Sequence, residues 1–122
     1  MDEELFDRLR ERYPRYDEAA YIFVLSSLNH VLERLSEPRH ISGRELAVGV
    51  RDLALDRFGP MARTVLEHWG IHETGDVGEI VFALVEFNVL IKQDEDTRDD
   101  FADVFDFDEA FQTQYPRRSS AE

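Results

Sequence analysis

Residues 41–71, ISGRELAVGVRDLALDRFGPMARTVLEHWGI, contain start and stop signals for two helices. Ser42 and Glu45 have the spacing of a capping box, in which a serine oxygen and a glutamate three residues later satisfy free amides at a helix start. Apolar residues then recur at helical spacing, with Leu46, Val50 and Leu53 among them. The pattern predicts a helix that runs to about Phe58.

The connection Gly59-Pro60 follows this helix. Glycine is favoured just past the end of one helix, and proline is favoured in the first turn of the next. We therefore predict a second, short helix from Met61 to Trp69 that stops at Gly70.

Two helices are predicted before this region. A short helix at 2–12 is closed by Pro14, and a long helix at about 18–36 begins after Asp17, which is suited to capping it. Pro38 cannot continue the long helix. The apolar residues of the long helix recur at spacings of three and four, which indicates a buried stripe: Tyr21, Val24, Leu25, Leu28, Val31, Leu32 and Leu35.

A further helix is predicted at about 77–89, within the run VGEIVFALVEFNVLI. We interpret Asp76 and Glu79 as its capping box. Because the run is apolar nearly all round, we expect this helix to be central and covered by its neighbours.

The segment 94–111, DEDTRDDFADVFDFDEAF, combines nine acidic residues with four phenylalanines. Phe101 and Phe105 are four residues apart, as are Phe107 and Phe111, a spacing that brings side chains together on a helix. We predict a loop or hairpin at 94–105 and a short helix at 107–113. The rings are expected to pack inward while the acids face solvent.

These elements predict a mainly α fold, with one helical domain over residues 1–115 and a frayed tail at 116–122. The helix order, the Gly59-Pro60 turn and a short acidic hairpin or loop after the fourth helix are similar to a winged helix-turn-helix. A plain helical bundle is the alternative.

The 122-residue chain has 27 acidic and 14 basic residues, a formal net charge of −13, one lysine and no cysteine. A charge this negative repels phosphate backbones and anionic membranes. No apolar run approaches the roughly 20 residues that span a bilayer. We therefore expect a cytoplasmic protein that does not associate with a membrane and has no disulfide bonds. Abundant acid with scarce lysine favours adaptation to high salt, where ions screen self-repulsion.

Direct nucleic-acid binding is not expected, since the predicted helix at 77–89 carries Glu79 and Glu86 but no arginine or lysine to reach a phosphate or base. A calcium loop beginning at Asp94 fails the EF-hand pattern. Its sixth and twelfth positions are Asp99 and Phe105, where glycine and glutamate are needed.

His68 and His72 have a spacing that binds zinc when both lie on one helix face, but Gly70 between them is expected to end the helix. The chain also lacks a G-x-S-x-G motif, a glycine-rich phosphate loop and a cysteine nucleophile. We therefore predict no catalytic residue, no cofactor and no metal, and do not expect an enzyme.

What remains is binding to another protein, and the sequence predicts a non-catalytic interaction module. Aromatic side chains anchor interfaces, and the candidate partner surface comprises Trp69, Ile71, Phe101, Phe105, Phe107 and Phe111. Two alternatives stay open. One is an acidic nucleic-acid mimic that occupies a basic partner, and the other is a small enzyme or metal-binding protein that uses histidine and glutamate.

Four short motifs resemble a family of small bacterial proteins of unknown function that is named after a locus tag. They are RFGP at 57–60, VLEHWGI at 65–71, GEIVF at 78–82 and DFDEAF at 106–111. The resemblance covers about residues 17–113. It implies that the acidic segment belongs to the domain, and it carries over no functional residue.

Overall fold

The computed structural model describes residues 3–91 and 98–113. Within those ranges the chain forms five α-helices and no β-strand. The helices are α1 Glu3–Arg12, α2 Glu18–Glu33, α3 Gly43–Phe58, α4 Ala62–His68 and α5 Thr74–Glu86. A 3₁₀ turn at Gly59–Met61 joins α3 to α4, and a second follows at Arg98–Phe101. The predicted mainly α class is confirmed.

The predicted helix starts follow from local capping. The Asp17 carboxylate accepts the Ala19 N–H at 2.9 Å, so Asp17 caps α2. At α3 both halves of the capping box form, with Glu45 N–H donating to Ser42 Oγ at 3.1 Å and Ser42 N–H donating to Glu45 Oε1 at 2.8 Å. These two starts were determined by residues within one turn of the helix.

The predicted start of α5 is wrong by one turn. The helix begins at Thr74 rather than 77, and its capping box pairs Glu73 with Asp76 instead of Asp76 with Glu79. The Asp76 carboxylate accepts the His72 N–H at 2.8 Å and the Glu73 N–H at 3.2 Å. Asp76 therefore satisfies free amides from inside the first turn and does not precede the helix.

One hydrophobic cluster holds all five helices together. Helix α5 contacts α2 and α3 and buries Val77, Gly78, Ile80, Ala83 and Leu84. The expected covering of this helix is incomplete, because Val81, Phe82 and Val85 on its outer side are only partly buried.

The acidic segment is docked on the α3–α5 pair through Phe101, which is 2% exposed. A Cβ at Gly43 of α3 would lie 2.8 Å from the Phe101 ring, and a Cβ at Gly78 of α5 would lie 2.7 Å from it. Thr74 Oγ1 donates to the Phe101 carbonyl at 2.6 Å and accepts the Val104 N–H at 3.1 Å. Two glycines therefore form a socket for one aromatic ring.

Residues 98–105 form the 3₁₀ turn and further turns, without a strand. The short helix predicted at 107–113 is present and closes as a π-helical turn at Glu109–Thr113. The remainder of the predicted loop or hairpin, at 94–97, lies outside the described residues, as does the tail predicted at 116–122. The winged-helix detail stays a prediction.

None of the helices in the described part of the chain is both long enough and apolar enough to cross a bilayer.

Candidate functional site

The six residues of the predicted partner surface do not form an exposed patch. Ile71, Phe101, Phe107 and Phe111 are buried in the core, whereas Trp69 and Phe105 are partly exposed. A partner cannot reach the four buried side chains in this conformation. The inward packing that was predicted for the phenylalanines is confirmed for Phe101, Phe107 and Phe111.

The two partly exposed members are held by aromatic neighbours. The Trp69 ring lies 5.5 Å from Phe23 and 5.8 Å from Phe58, measured between ring centroids. Phe105 stacks on Phe107 at 5.8 Å, with the Arg51 guanidinium 5.7 Å from the Phe105 centroid. Aromatic pairs at these distances add stability beyond the area they bury. Both residues therefore have a structural role within the chain.

The histidines are dispersed. His30, His40 and His72 line three different clefts, and the described residues contain no group of three or more histidine, aspartate or glutamate side chains that could hold a metal ion. His30 Nε2 accepts a hydrogen bond from Arg34 Nε at 3.0 Å. His30, His40 and His72 therefore do not come together at any of these three clefts.

An open cleft of about 430 Å³ lies beside the docked acidic segment. Its walls carry His72 and Arg63 together with Glu73, Asp103, Asp106 and Asp108. Arg63 donates to Glu67 at 2.9 Å and also to Asp108, and these two bonds raise the pKa of its guanidinium. The arginine of this cleft thus ties α4 to the acidic segment.

Asp76 is a buried carboxylate with a full set of donors. The Tyr16 hydroxyl donates to it at 2.6 Å and the Arg15 guanidinium lies 3.1 Å away, in addition to the two backbone amides at the start of α5. Burial, and then the bond to Asp76, raise the pKa of Tyr16 well above its usual value. The arrangement locks the α1–α2 loop onto α5 and leaves Tyr16 protonated at neutral pH.

Tyr21 is buried with a hydroxyl that has no hydrogen-bond partner among the described residues. Burial raises the pKa of Tyr21 to about 12. A phenol that stays protonated in an apolar environment cannot act as a general base at neutral pH, so the interior offers no proton acceptor at this position.

The strongest candidate binding site is an apolar groove of about 360 Å³. It lies between the C-terminal halves of α2 and α5, the start of α3 and the residues that follow α5. Its apolar walls include Leu28, Leu32, Leu46, Val81, Phe82 and Val85, and the docked Phe101 ring also lines it. Leu32 is 40% exposed and Ile91, at the edge of the groove, is 86% exposed. We call this feature the α2/α5 groove.

The α2/α5 groove also differs from the rest of the molecule in charge. In a chain with 27 acidic residues, none of the described residues that line it carries a carboxylate. Its charged or titratable side chains are Arg39 and His40. Arg39 donates to both oxygens of Glu45, at 3.1 and 2.8 Å, and this pairing lowers the pKa of Glu45 to about 2. The arginine is therefore already engaged with a carboxylate of its own chain.

Sequence reasoning missed this groove although its residues were recognised. Leu28 and Leu32 belong to the predicted apolar stripe of α2, and Val81, Phe82 and Val85 belong to the apolar run of α5. Periodicity shows that such residues avoid water, but not whether another part of the chain covers them. Only the packing of α2 and α5 shows that this stretch stays open.

No family model, curated protein or solved structure matches this chain, so the family resemblance over about residues 17–113 stays a prediction.

Proposed function

We propose that this chain is a non-catalytic protein-interaction module of the cytoplasm, and that the α2/α5 groove receives the apolar face of a helix from a partner protein. One observation carries the proposal: an open apolar groove, free of carboxylates in its described lining, occurs in a chain with a net charge of −13. Exposed apolar patches rimmed by polar residues mark interaction sites in soluble proteins.

The shape of the groove suits a helix. Leu28 and Leu32 of α2 and Val81, Phe82 and Val85 of α5 supply about one helical turn on each side, and an amphipathic helix can place apolar side chains at i and i+3 or i+4 between them. A volume of about 360 Å³ accommodates a few apolar side chains. Leu32 and Ile91 would each lose exposed apolar area on binding, which is favourable by roughly 25 cal/mol per Å².

The remaining segments of this sequence are poorly suited to filling the groove. The residues outside the described ranges read MD, KQDEDT and QYPRRSSAE. None of these three segments carries apolar side chains at the repeated spacing that a groove-binding helix needs. A partner chain is therefore the better occupant.

A selection of helical peptides tests the proposal. A display library with variable apolar anchors would be selected on the immobilised full chain, and the enriched peptides would be measured by fluorescence anisotropy. We expect enrichment of apolar patterns at i and i+3 or i+4. Ile91→Gln should weaken binding about tenfold, because a fully buried isoleucine contributes about 1.5–3 kcal/mol.

The matched control is Ile22→Gln, since Ile22 is 45% exposed on α2 but does not line the groove. This variant should bind the selected peptides as the parent chain does. A failure to enrich any helical pattern, or equal binding by the parent and Ile91→Gln, would show that the groove is not a docking site.

The two alternatives have less support. Exposed carboxylates occur on α1, α2, α3 and α5 and in the acidic segment, with examples at Glu3, Glu33, Asp56, Glu86 and Asp108. Their presence on separate elements favours adaptation to a salt-rich cytoplasm over a single array that mimics nucleic acid. Adaptation of this kind implies a melting temperature that rises with potassium chloride, because salt screens the repulsion. A flat or falling curve would contradict it.

A further inference from the structure

We infer that the helix received by the α2/α5 groove has a basic polar face opposite its apolar face. This inference rests on the proposed function and names the chemistry of the partner. Its basis is the apolar, carboxylate-free lining of the groove, the acidic residues that adjoin it in the chain, and the net charge of −13.

Three carboxylates lie within two residues, along the chain, of a residue that lines the groove. Glu33 is exposed at the end of α2 and directly follows Leu32. Glu37 is exposed in the loop that carries Arg39. Asp100 precedes Phe101, and its Cβ lies 3.0 Å from the position of a Cβ on Gly43, which itself lines the groove. Acidic residues thus adjoin groove residues at three places in the chain.

The cation at the groove does not favour an acidic partner. Arg39 is bound through both guanidinium nitrogens to Glu45, and a carboxylate from a partner would have to compete with that bidentate pair. Glu33 and Glu37 are both exposed, so basic residues on a partner helix can reach them. The local charge therefore favours lysine or arginine on the polar face.

The charge of the whole chain acts in the same direction. A net charge of −13 attracts a basic partner, and the range of this attraction is set by the Debye length. That length is about 10 Å at 0.1 M salt and about 3 Å at 1 M. Complementary charge raises the rate of encounter and selects the partner, while the apolar contacts set how long it stays bound.

Three matched peptides test the inference. They share the apolar anchors of a selected helix and differ only in the polar face, which carries lysine and arginine, glutamine and serine, or glutamate. At about 0.1 M salt we expect the basic peptide to bind about tenfold more tightly than the neutral one, and the acidic peptide to bind most weakly. At about 1 M salt the order should stay the same with a smaller spread, because ion pairs that are partly buried at an interface are screened less than exposed ones.

Charge reversals on the protein locate the effect. Glu33→Lys should lower the affinity for the basic peptide about two- to fivefold and leave the affinity for the neutral peptide unchanged, as expected for an exposed ion pair. Asp56→Lys makes the same change in net charge. Asp56 is exposed on α3 ten residues beyond the groove residue Leu46, about 15 Å along the helix, so its effect should be smaller.

The outcomes separate the two proposals. If none of the three peptides binds, the docking function itself fails. If the neutral peptide binds and Ile91→Gln weakens it, but the basic and acidic peptides bind equally well, docking stands and the basic-face inference is overturned. Equal effects of Glu33→Lys and Asp56→Lys would also overturn it, because the adjoining carboxylates would then have no local role.

Discussion

The acidic segment at 98–111 and the α2/α5 groove both carry apolar side chains, but these side chains differ in how far they are buried. Phe101 of the segment sits in a socket formed by two glycines and is almost completely buried, whereas Ile91, ten residues earlier, is 86% exposed at the edge of the groove. Both follow the same helix in sequence. The contrast between Phe101 and Ile91 shows that apolar character alone does not determine which side chain is covered, because a complementary shape within the chain is also needed.

The socket and the groove share a boundary, because Phe101 lies in the socket and also lines the groove. Its ring is fixed from one side by Gly43 and Gly78, and its carbonyl is fixed by the Thr74 hydroxyl. A firmly held ring gives the groove a rigid wall, which reduces the ordering cost of receiving a partner.

The largest effect is expected when the Phe101 side chain is truncated. Phe101→Ala should lower the free energy of unfolding by about 3–5 kcal/mol, because the change leaves a cavity between α3 and α5. Ile91→Ala should have little effect, since the side chain is already in water. Denaturant unfolding of the two variants measures both. Similar losses in the two variants would mean that the socket and the groove do not differ as described.

Filling the socket is the next test. In Gly78→Ala the new Cβ would lie 2.7–2.9 Å from three atoms of Phe101, so we expect a loss of about 1–3 kcal/mol from overpacking. Gly75→Ala, in the first turn of the same helix, is the control. Its nearest neighbouring atom is a Glu73 carbon 4.0 Å away, and alanine there should be neutral or stabilising by up to about 1 kcal/mol.

A double variant sharpens this result. Phe101→Leu combined with Gly78→Ala should lose less stability than the sum of the two single changes, because the smaller side chain makes room for the new methyl group. Strict additivity would show that the Gly78 effect does not arise at the Phe101 ring.

Removing the Thr74 hydroxyl has a smaller expected effect. Thr74→Val keeps the shape but leaves the Phe101 carbonyl and the Val104 N–H without their partner, at a cost of about 1–2 kcal/mol. Thr74→Ser keeps the hydroxyl and should lose less. Unfolding free energies and amide exchange at Val104 measure the difference, and equal losses for valine and serine would exclude a role for the two hydrogen bonds.

The smallest expected effect concerns pH at the edge of the groove. The Arg39 pair lowers the pKa of Glu45 in the folded chain from 4.5 to about 2. The pair therefore stabilises the fold fully above about pH 4.5. This contribution is lost as the pH falls towards 2. Because the pair is largely exposed, we expect a smaller contribution than that of the Thr74 hydroxyl.

Arg39→Gln isolates this pair, because it keeps the Glu45 carboxylate and the hydrogen bond that it accepts from the Ser42 N–H. It should reduce the loss of stability between pH 4.5 and pH 2 relative to the parent chain, as measured by thermal unfolding across that range. An unchanged pH dependence would contradict the assignment.

Helix boundaries were predictable where one turn of sequence holds the whole signal. Asp17 caps α2 and the Ser42–Glu45 box opens α3 as expected, because each uses donors and acceptors within three residues. The start of α5 was misplaced because Asp76 fits two capping registers. Its donors include Tyr16, sixty residues away, and no local spacing shows that contact.

The candidate site was also predictable only in part. The inward packing of Phe101, Phe107 and Phe111 could be predicted from their spacing. Their assignment to an exposed partner surface does not fit the structure, because a bulky apolar side chain has the same sequence signal in a core as in an interface.

Local capping, periodicity and composition were enough to predict the mainly α class, the order of the helices and the acidic character. Tertiary structure alone decided which apolar faces are covered. Phe101 is buried because two glycines from separate helices leave space for its ring, and the walls of the α2/α5 groove stay open because no described residue fills the space between them. Both depend on shape across long chain separations, which composition and periodicity do not encode.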